Sequence, residues 1–178
     1  MNNDIETILY SQKQLNERMD EIGAQLTNKY ANQIPLVVPV MTGAMVFASD
    51  MLKRMNFKLN VDPIKAKSYV GANSTGKVEL VQDVKSDVKG RAVILMEDII
   101  DTGHTLKYLK QLFLERGAKS VEICAMLDKP ETRQVDLHGD YIGFNAPDEF
   151  LVGYGLDYNG FYRNLPYVGI LKHKVYAS

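Results

Sequence analysis

Tryptophan is absent from these 178 residues, and cysteine occurs once. The lone Cys124 has no partner for an internal disulfide, and its setting in the apolar run "VEICAML" suits a small buried hydrophobe in a reducing compartment. An excess of either charge is also missing: 21 lysines and arginines stand against 22 aspartates and glutamates, a formal net charge of -1. A chain that grips nucleic acid through its phosphates needs a basic excess or stripe, so no nucleic-acid partner is expected. No window approaches the ~18 apolar residues that span a bilayer, and "MNNDIETILY" has neither a basic n-region nor an apolar h-region. The expectation is a cytoplasmic protein with no membrane partner.

What is present suits one folded unit. Apolar residues make up 46% and charged residues 24%, an ordinary balance for a globular chain, and the length supports a single domain spanning 1–178. Ile5, Ile8, Leu15, Met19, Ile22 and Leu26 recur near helical spacing, which predicts a first helix over residues 4–30 with Asp4 as its cap. "IPLVVPVM" reads as a buried strand leading through Gly43 into a helix that carries Val46, Phe47, Met51, Leu52 and Met55. "VDPIKAKSYV" and "KVELVQ" read as strands on either side of the loop "GANSTG", and "GRAVILM" as a fully buried strand. A helix with Leu106, Leu109, Leu112 and Phe113 then ends at Gly117, before the strand "SVEICAML". Such alternation predicts an α/β fold: a central, mostly parallel sheet flanked by helices, with its ligand site at the carboxyl ends of the strands. After Lys129 the segments "YIGF", "FLVGYG" and "YVGIL" are short, so residues about 130–178 are expected to form a small C-terminal hood.

Two apparent phosphate motifs fail on inspection. Gly71 to Lys77 has P-loop spacing, but Val78 stands where a hydroxyl is required, and the segment leads into a strand rather than a helix. "GYGLDY" places Tyr158 at the third glycine of a dinucleotide fingerprint. The stretch "VILMEDIIDTGHTL", Val93 to Leu106, is different. Asp101, Thr102, Gly103, His104 and Thr105 fall between a buried strand and a helix, where backbone N–H groups, two hydroxyls and the helix N-terminus converge on an anion. Glu97 and Asp98 would repel a phosphate placed beside them, whereas adjacent carboxylates accept hydrogen bonds well from a sugar diol. A ribose phosphate satisfies both halves. A helix start decorated with acidic residues would explain any one of these carboxylates, but not the whole run.

This stretch resembles the phosphoribosyl-pyrophosphate signature of the type I purine phosphoribosyltransferases that act on hypoxanthine and guanine. "KSYVGANSTGKV" resembles the mobile loop of that family, and "FLVGYGLDYNGFYRNLPYVGIL" its purine-binding hood and C-terminal segment. The resemblance implies purine salvage: the 5-phosphoribosyl group passes from phosphoribosyl pyrophosphate to N9 of hypoxanthine or guanine, giving IMP or GMP and pyrophosphate. It implies that Glu97, Asp98, Asp101, Thr102, Gly103, His104 and Thr105 bind the phosphoribosyl group, with Asp101 catalytic through the purine N7 proton. Thr42, Gly43 and Arg163 would bind pyrophosphate; Lys129, Phe150, Leu151 and Asp157 would bind the purine; Ser68 and Tyr69 would begin a lid. Magnesium is the implied cofactor, with Glu97, Asp98 and Asp157 as its side-chain ligands, and the implied assembly is a homodimer or homotetramer. One departure is visible: the family usually has lysine or arginine at the position of Thr42, in a turn where it often has a non-proline cis bond. The alternatives are a xanthine-preferring relative and a regulator that keeps the fold to sense nucleotides while binding RNA or DNA. Retention of Asp101, Lys129, Phe150 and Asp157 favours the enzyme.

Overall fold

The computed structural model describes residues 1–68 and 78–177. The loop "GANSTG" and the lid assignment to Tyr69 lie outside those residues, as does the side chain of Ser68. The chain opens with a short 3-10 turn, Asn2–Asp4, and continues through β1 (Ile5–Tyr10), α1 (Gln12–Tyr30), β2 (Leu36–Met41) and α2 (Met45–Leu52). There follow β3 (Asn60–Val61), β4 (Ile64–Ser68), β5 (Val78–Gln82), β6 (Ala92–Ile100), α3 (His104–Glu115) and β7 (Ser120–Asp128). A 3-10 turn, Pro130–Thr132, leads to β8 (Tyr141–Asn145), β9 (Leu151–Val152), β10 (Val168–Leu171) and α4 (His173–Tyr176).

The expected first helix over 4–30 needs correction. Ile5–Tyr10 is a strand, paired antiparallel with β10, and the helix starts only after Ser11. There the Ser11 hydroxyl accepts from the Gln14 backbone N–H while the Gln14 side chain accepts from that of Ser11, a reciprocal cap that satisfies two orphan donors. Ile8 is 53% exposed, so the apparent helical spacing across Ile5 and Ile8 was never a buried stripe. Cross-strand pairing with a segment at the far end of the chain outweighs local periodicity.

In the large sheet the strands run β5-β4-β2-β6-β7-β8, with β3 also paired to β2. Every pairing in it is parallel except β4 with β5. Strand β6 alternates in the period of two that a strand imposes. Ile94 and Met96 face the core that holds Leu15, Met19 and Ile22 of α1 with Phe47 and Met51 of α2. Val93 and Leu95 face the opposite core, with Leu106, Leu109 and Phe113 of α3. Burying each such side chain contributes about 1.5–3 kcal/mol. Cys124 lies in the first core, and burial pushes its thiol up to about 12.

The hood is redrawn at both ends. "YIGF" belongs to β8, the edge of the large sheet, because its alternating residues pair in parallel with Cys124–Asp128. The smaller sheet, β1-β10-β9, instead recruits the N-terminal strand. Connections from β2 run toward β4 and those from β6 run toward β7, so the topology reverses between β2 and β6. A crevice opens at the carboxyl ends of strands at such a switch point.

Candidate active site

That crevice is a cavity of about 520 Å³, lined by Val40 and Met41 at the end of β2, by Glu97 to Ile100 at the end of β6, and by Asp101, Thr102, Gly103 and Thr105 in the following turn. Gly103 has φ 86, a left-handed conformation that glycine adopts without a Cβ penalty, and it turns the chain into α3. Gly103, Thr105 and Leu106, at the start of α3, line the cavity, and the N–H groups of a first helical turn have no partner within the helix. The His104 ring is turned away: its Nε2 lies 3.1 Å from Gln134 Oε1, and the residue is not part of the cavity wall. What His104 can offer an anion is its backbone.

On the β2 side the Met41–Thr42 peptide is cis. Gly43 lines the cavity and Thr42, which is exposed, does not. A Cβ on Gly43 would lie 1.9 Å from Asp98 Oδ2, so only glycine lets this turn approach the carboxylate. Gly155, at φ 102, makes a similar approach from the hood, where a Cβ would lie 2.2 Å from the Gly43 carbonyl. The Arg163 guanidinium donates to the Gly155 carbonyl and pairs with Asp157 at 2.6 Å, and both side chains face the cavity.

A second cavity, of about 390 Å³, adjoins the first through Asp98, Ile99, Asp101 and Asp157. Lys129, Phe150 and Leu151 close it. Lys129 Nζ donates to the Glu149 carbonyl at 2.7 Å and lies 3.8 Å from Asp148, with its side chain 12% exposed. Phe150, 37% exposed, offers a ring to the space. The two cavities join at Asp101: one lined by the turn after β6, the other by the Phe150 ring and Lys129.

Residues 7–159 match the phosphoribosyl transferase domain family. The chain is 44% identical to the hypoxanthine-guanine phosphoribosyltransferase of Bacillus subtilis, over 100% of this chain and 99% of that enzyme. It is 48% identical, again over its full length, to the bifunctional protein TilS/HprT of Listeria monocytogenes, but spans only 28% of that longer protein. Among solved structures, a hypoxanthine phosphoribosyltransferase from Staphylococcus aureus superposes with a TM-score of 0.97 at 41% identity, covering 100% of this chain and 97% of that one. The chain belongs to the phosphoribosyltransferase family, in its hypoxanthine-guanine branch. The parallel sheet with its switch-point crevice is the type I phosphoribosyltransferase fold.

Glu97 and Asp98 sit side by side on the wall of this phosphoribosyltransferase cavity. Burial raises the Glu97 carboxyl well above the usual carboxylate range, and the neighbouring Asp98 charge adds to the effect. Burial also raises Asp98, opposed by hydrogen bonds to its ionised form and by the Arg163 charge. The pair therefore retains a proton at pH values where an exposed pair would be fully ionised. Glu97, Asp98 and Asp157, the expected magnesium ligands, all line this cavity, and among the described residues no group of three or more such side chains is placed to hold a metal ion by itself. Their chemistry still suits Mg²⁺, which keeps its waters and takes one or two carboxylates plus substrate phosphate oxygens.

Several residues that shape the site carried no signal in the sequence. Thr132 donates to Asp101 Oδ1, and Arg133 Nε donates to the Asp101 carbonyl at 2.9 Å. Tyr176 of α4 stacks on Phe150 at 4.9 Å, and Tyr158 meets the same ring edge-on at 5.4 Å. Backbone-directed bonds and long-range ring contacts leave no periodic trace in a chain.

Proposed function

We propose that this domain transfers the 5-phosphoribosyl group of phosphoribosyl pyrophosphate to N9 of hypoxanthine or guanine, releasing pyrophosphate and forming IMP or GMP. The observation that carries this reading is Asp101, which lines both the cradle and the aromatic slot. A sugar phosphate held by the Asp101–Thr105 turn and a base held against Phe150 would meet beside that carboxylate. The C1–oxygen bond to pyrophosphate breaks as the N9–C1 bond forms, and the proton on purine N7 passes to Asp101. Glu97 and Asp98 accept hydrogen bonds from the ribose hydroxyls and place negative charge near the cation that develops at C1. Arg163 and the backbone of the Met41–Gly43 turn receive the departing pyrophosphate.

Lys129 donates to the purine 6-oxo group. A 6-amino group would set donor against donor, which disfavours adenine. Asp157, with Glu97 and Asp98, would hold magnesium, which would supply charge neutralisation on the leaving group. No helix among the described residues is long and apolar enough to cross a membrane.

The test is a transfer assay with phosphoribosyl pyrophosphate, magnesium and each of four purines. Hypoxanthine and guanine should give nucleotide, adenine should not, and xanthine should react poorly. Nucleotide formed from xanthine alone would reassign the acceptor, and no nucleotide from any base would refute the reaction.

A further inference from the structure

We propose that Thr132 is a positioning residue that fixes the spacing between the two groups reading adjacent atoms of the purine, Asp101 at N7 and Lys129 at the 6-oxo group. The proposal rests on the acceptor reading given above. N7 and O6 share one edge of a rigid ring, so the acceptor and the donor that contact them must keep a constant separation. Asp101 follows β6 and Lys129 follows β7; the Lys129 ammonium is held by the Glu149 carbonyl, whereas the Asp101 carboxylate rotates freely unless something else holds it.

Thr132 bridges the two. It ends the 3-10 turn that begins directly after Lys129, and its backbone N–H donates to the Lys129 carbonyl at 3.3 Å. Its hydroxyl lies 3.1 Å from that same carbonyl and closer still to Asp101 Oδ1. A hydroxyl has a single proton to give. The Lys129 carbonyl is already served by the amide, and a bond to a carboxylate is the stronger, so the proton goes to Asp101. With Oδ1 engaged, Oδ2 is the oxygen left for the base.

The next two residues hold the backbone on which Asp101 stands. Arg133 Nε donates to the Asp101 carbonyl, and the Gln134 N–H donates to the Thr102 carbonyl at 3.0 Å. Arg133 also pairs with Asp128 at the end of β7, anchoring the turn to the strand that carries Lys129. Main chain and side chain of Asp101 are thus fixed from one short segment, and Thr132 supplies the contact that orients the carboxylate.

The experiment compares Thr132→Val, Thr132→Ala and Thr132→Ser with the unmodified chain in full kinetics. Valine keeps the shape and loses the donor, while serine keeps the donor and loses a methyl. Valine and alanine should lower kcat/KM for hypoxanthine and guanine by about ten- to a hundredfold, the range for a lost bond to a charged group. Serine should restore most of that loss, and KM for phosphoribosyl pyrophosphate should stay within about threefold throughout. Kinetics of Thr132→Val equal to those of the unmodified chain would overturn the proposal. So would a serine variant as impaired as valine, or a loss shared equally with phosphoribosyl pyrophosphate. An unmodified chain that forms no nucleotide would overturn the transfer reading itself, which separates the two failures.

Discussion

Phe150 lies face to face with Tyr176, ring centroids 4.9 Å apart and planes 25° apart, so one side of the slot-forming ring is supported from α4. Support of this kind holds an aromatic wall ready for a flat ligand, at a worth of about 0.5–1.5 kcal/mol for the pair. Tyr176→Ala should therefore raise KM for hypoxanthine by roughly two- to tenfold. Tyr176→Phe should not. An equal rise in KM for phosphoribosyl pyrophosphate would instead assign Tyr176 to overall stability.

Gly43 touches Asp98 so closely that any Cβ must displace one of them. Gly43→Ala should lower the thermal midpoint, since overpacking costs about 1–3 kcal/mol. It should also raise KM for phosphoribosyl pyrophosphate by about tenfold or more, because Gly43 and Asp98 both line the cavity proposed to hold the donor. A variant with unchanged donor affinity would separate this turn from donor binding.

Lys129 is held by the Glu149 carbonyl with its ammonium at the slot. Lys129→Gln should weaken use of hypoxanthine and guanine by about 1–3 kcal/mol, read as the change in kcat/KM for each. Unchanged values for both bases would return Lys129 to the surface.

Acid sensitivity should come in part from Asp83. The Arg116 guanidinium grips both of its carboxylate oxygens, at 2.8 and 2.5 Å, and holds the carboxyl below its usual range against the opposing effect of burial. A lowered folded value contributes stability that is complete above the unfolded value near ~3.9 and is lost as pH falls through the folded one. The Arg116 and Asp83 side chains are 33% and 41% exposed, which limits the pair to roughly 0–1 kcal/mol after screening. Urea unfolding of Asp83→Asn should show that deficit at neutral pH and a smaller one at about pH 3. A deficit independent of pH would point to packing.

The β6–α3 unit, whose turn lines the first cavity, is legible because three local rules agree there. A continuous apolar run predicts a buried strand, Gly103 supplies a left-handed turn, and Leu106, Leu109 and Phe113 repeat at helical spacing. Strand β1 was not legible, since its pairing partner Val168–Leu171 lies at the opposite end of the chain and Ile5 and Ile8 imitate a helix. β8 reads as part of the hood for a related reason: "YIGF" is too short to declare which sheet receives it. Thr132, Arg133 and Gln134 leave no mark in the sequence because their bonds go to the Asp101 and Asp128 carboxylates, the His104 ring and backbone carbonyls, targets that no local spacing announces.

Asp101 carries the central claim, as the residue shared by the cradle and the slot. The most direct measurement is single-turnover IMP formation by Asp101→Asn, with binding of phosphoribosyl pyrophosphate followed separately by calorimetry. The expected result is a chemical step slowed by about 10²-fold or more, with donor affinity largely retained, because the amide keeps the size but cannot take the N7 proton. A rate close to that of the unmodified chain would contradict the role of Asp101 in the transfer.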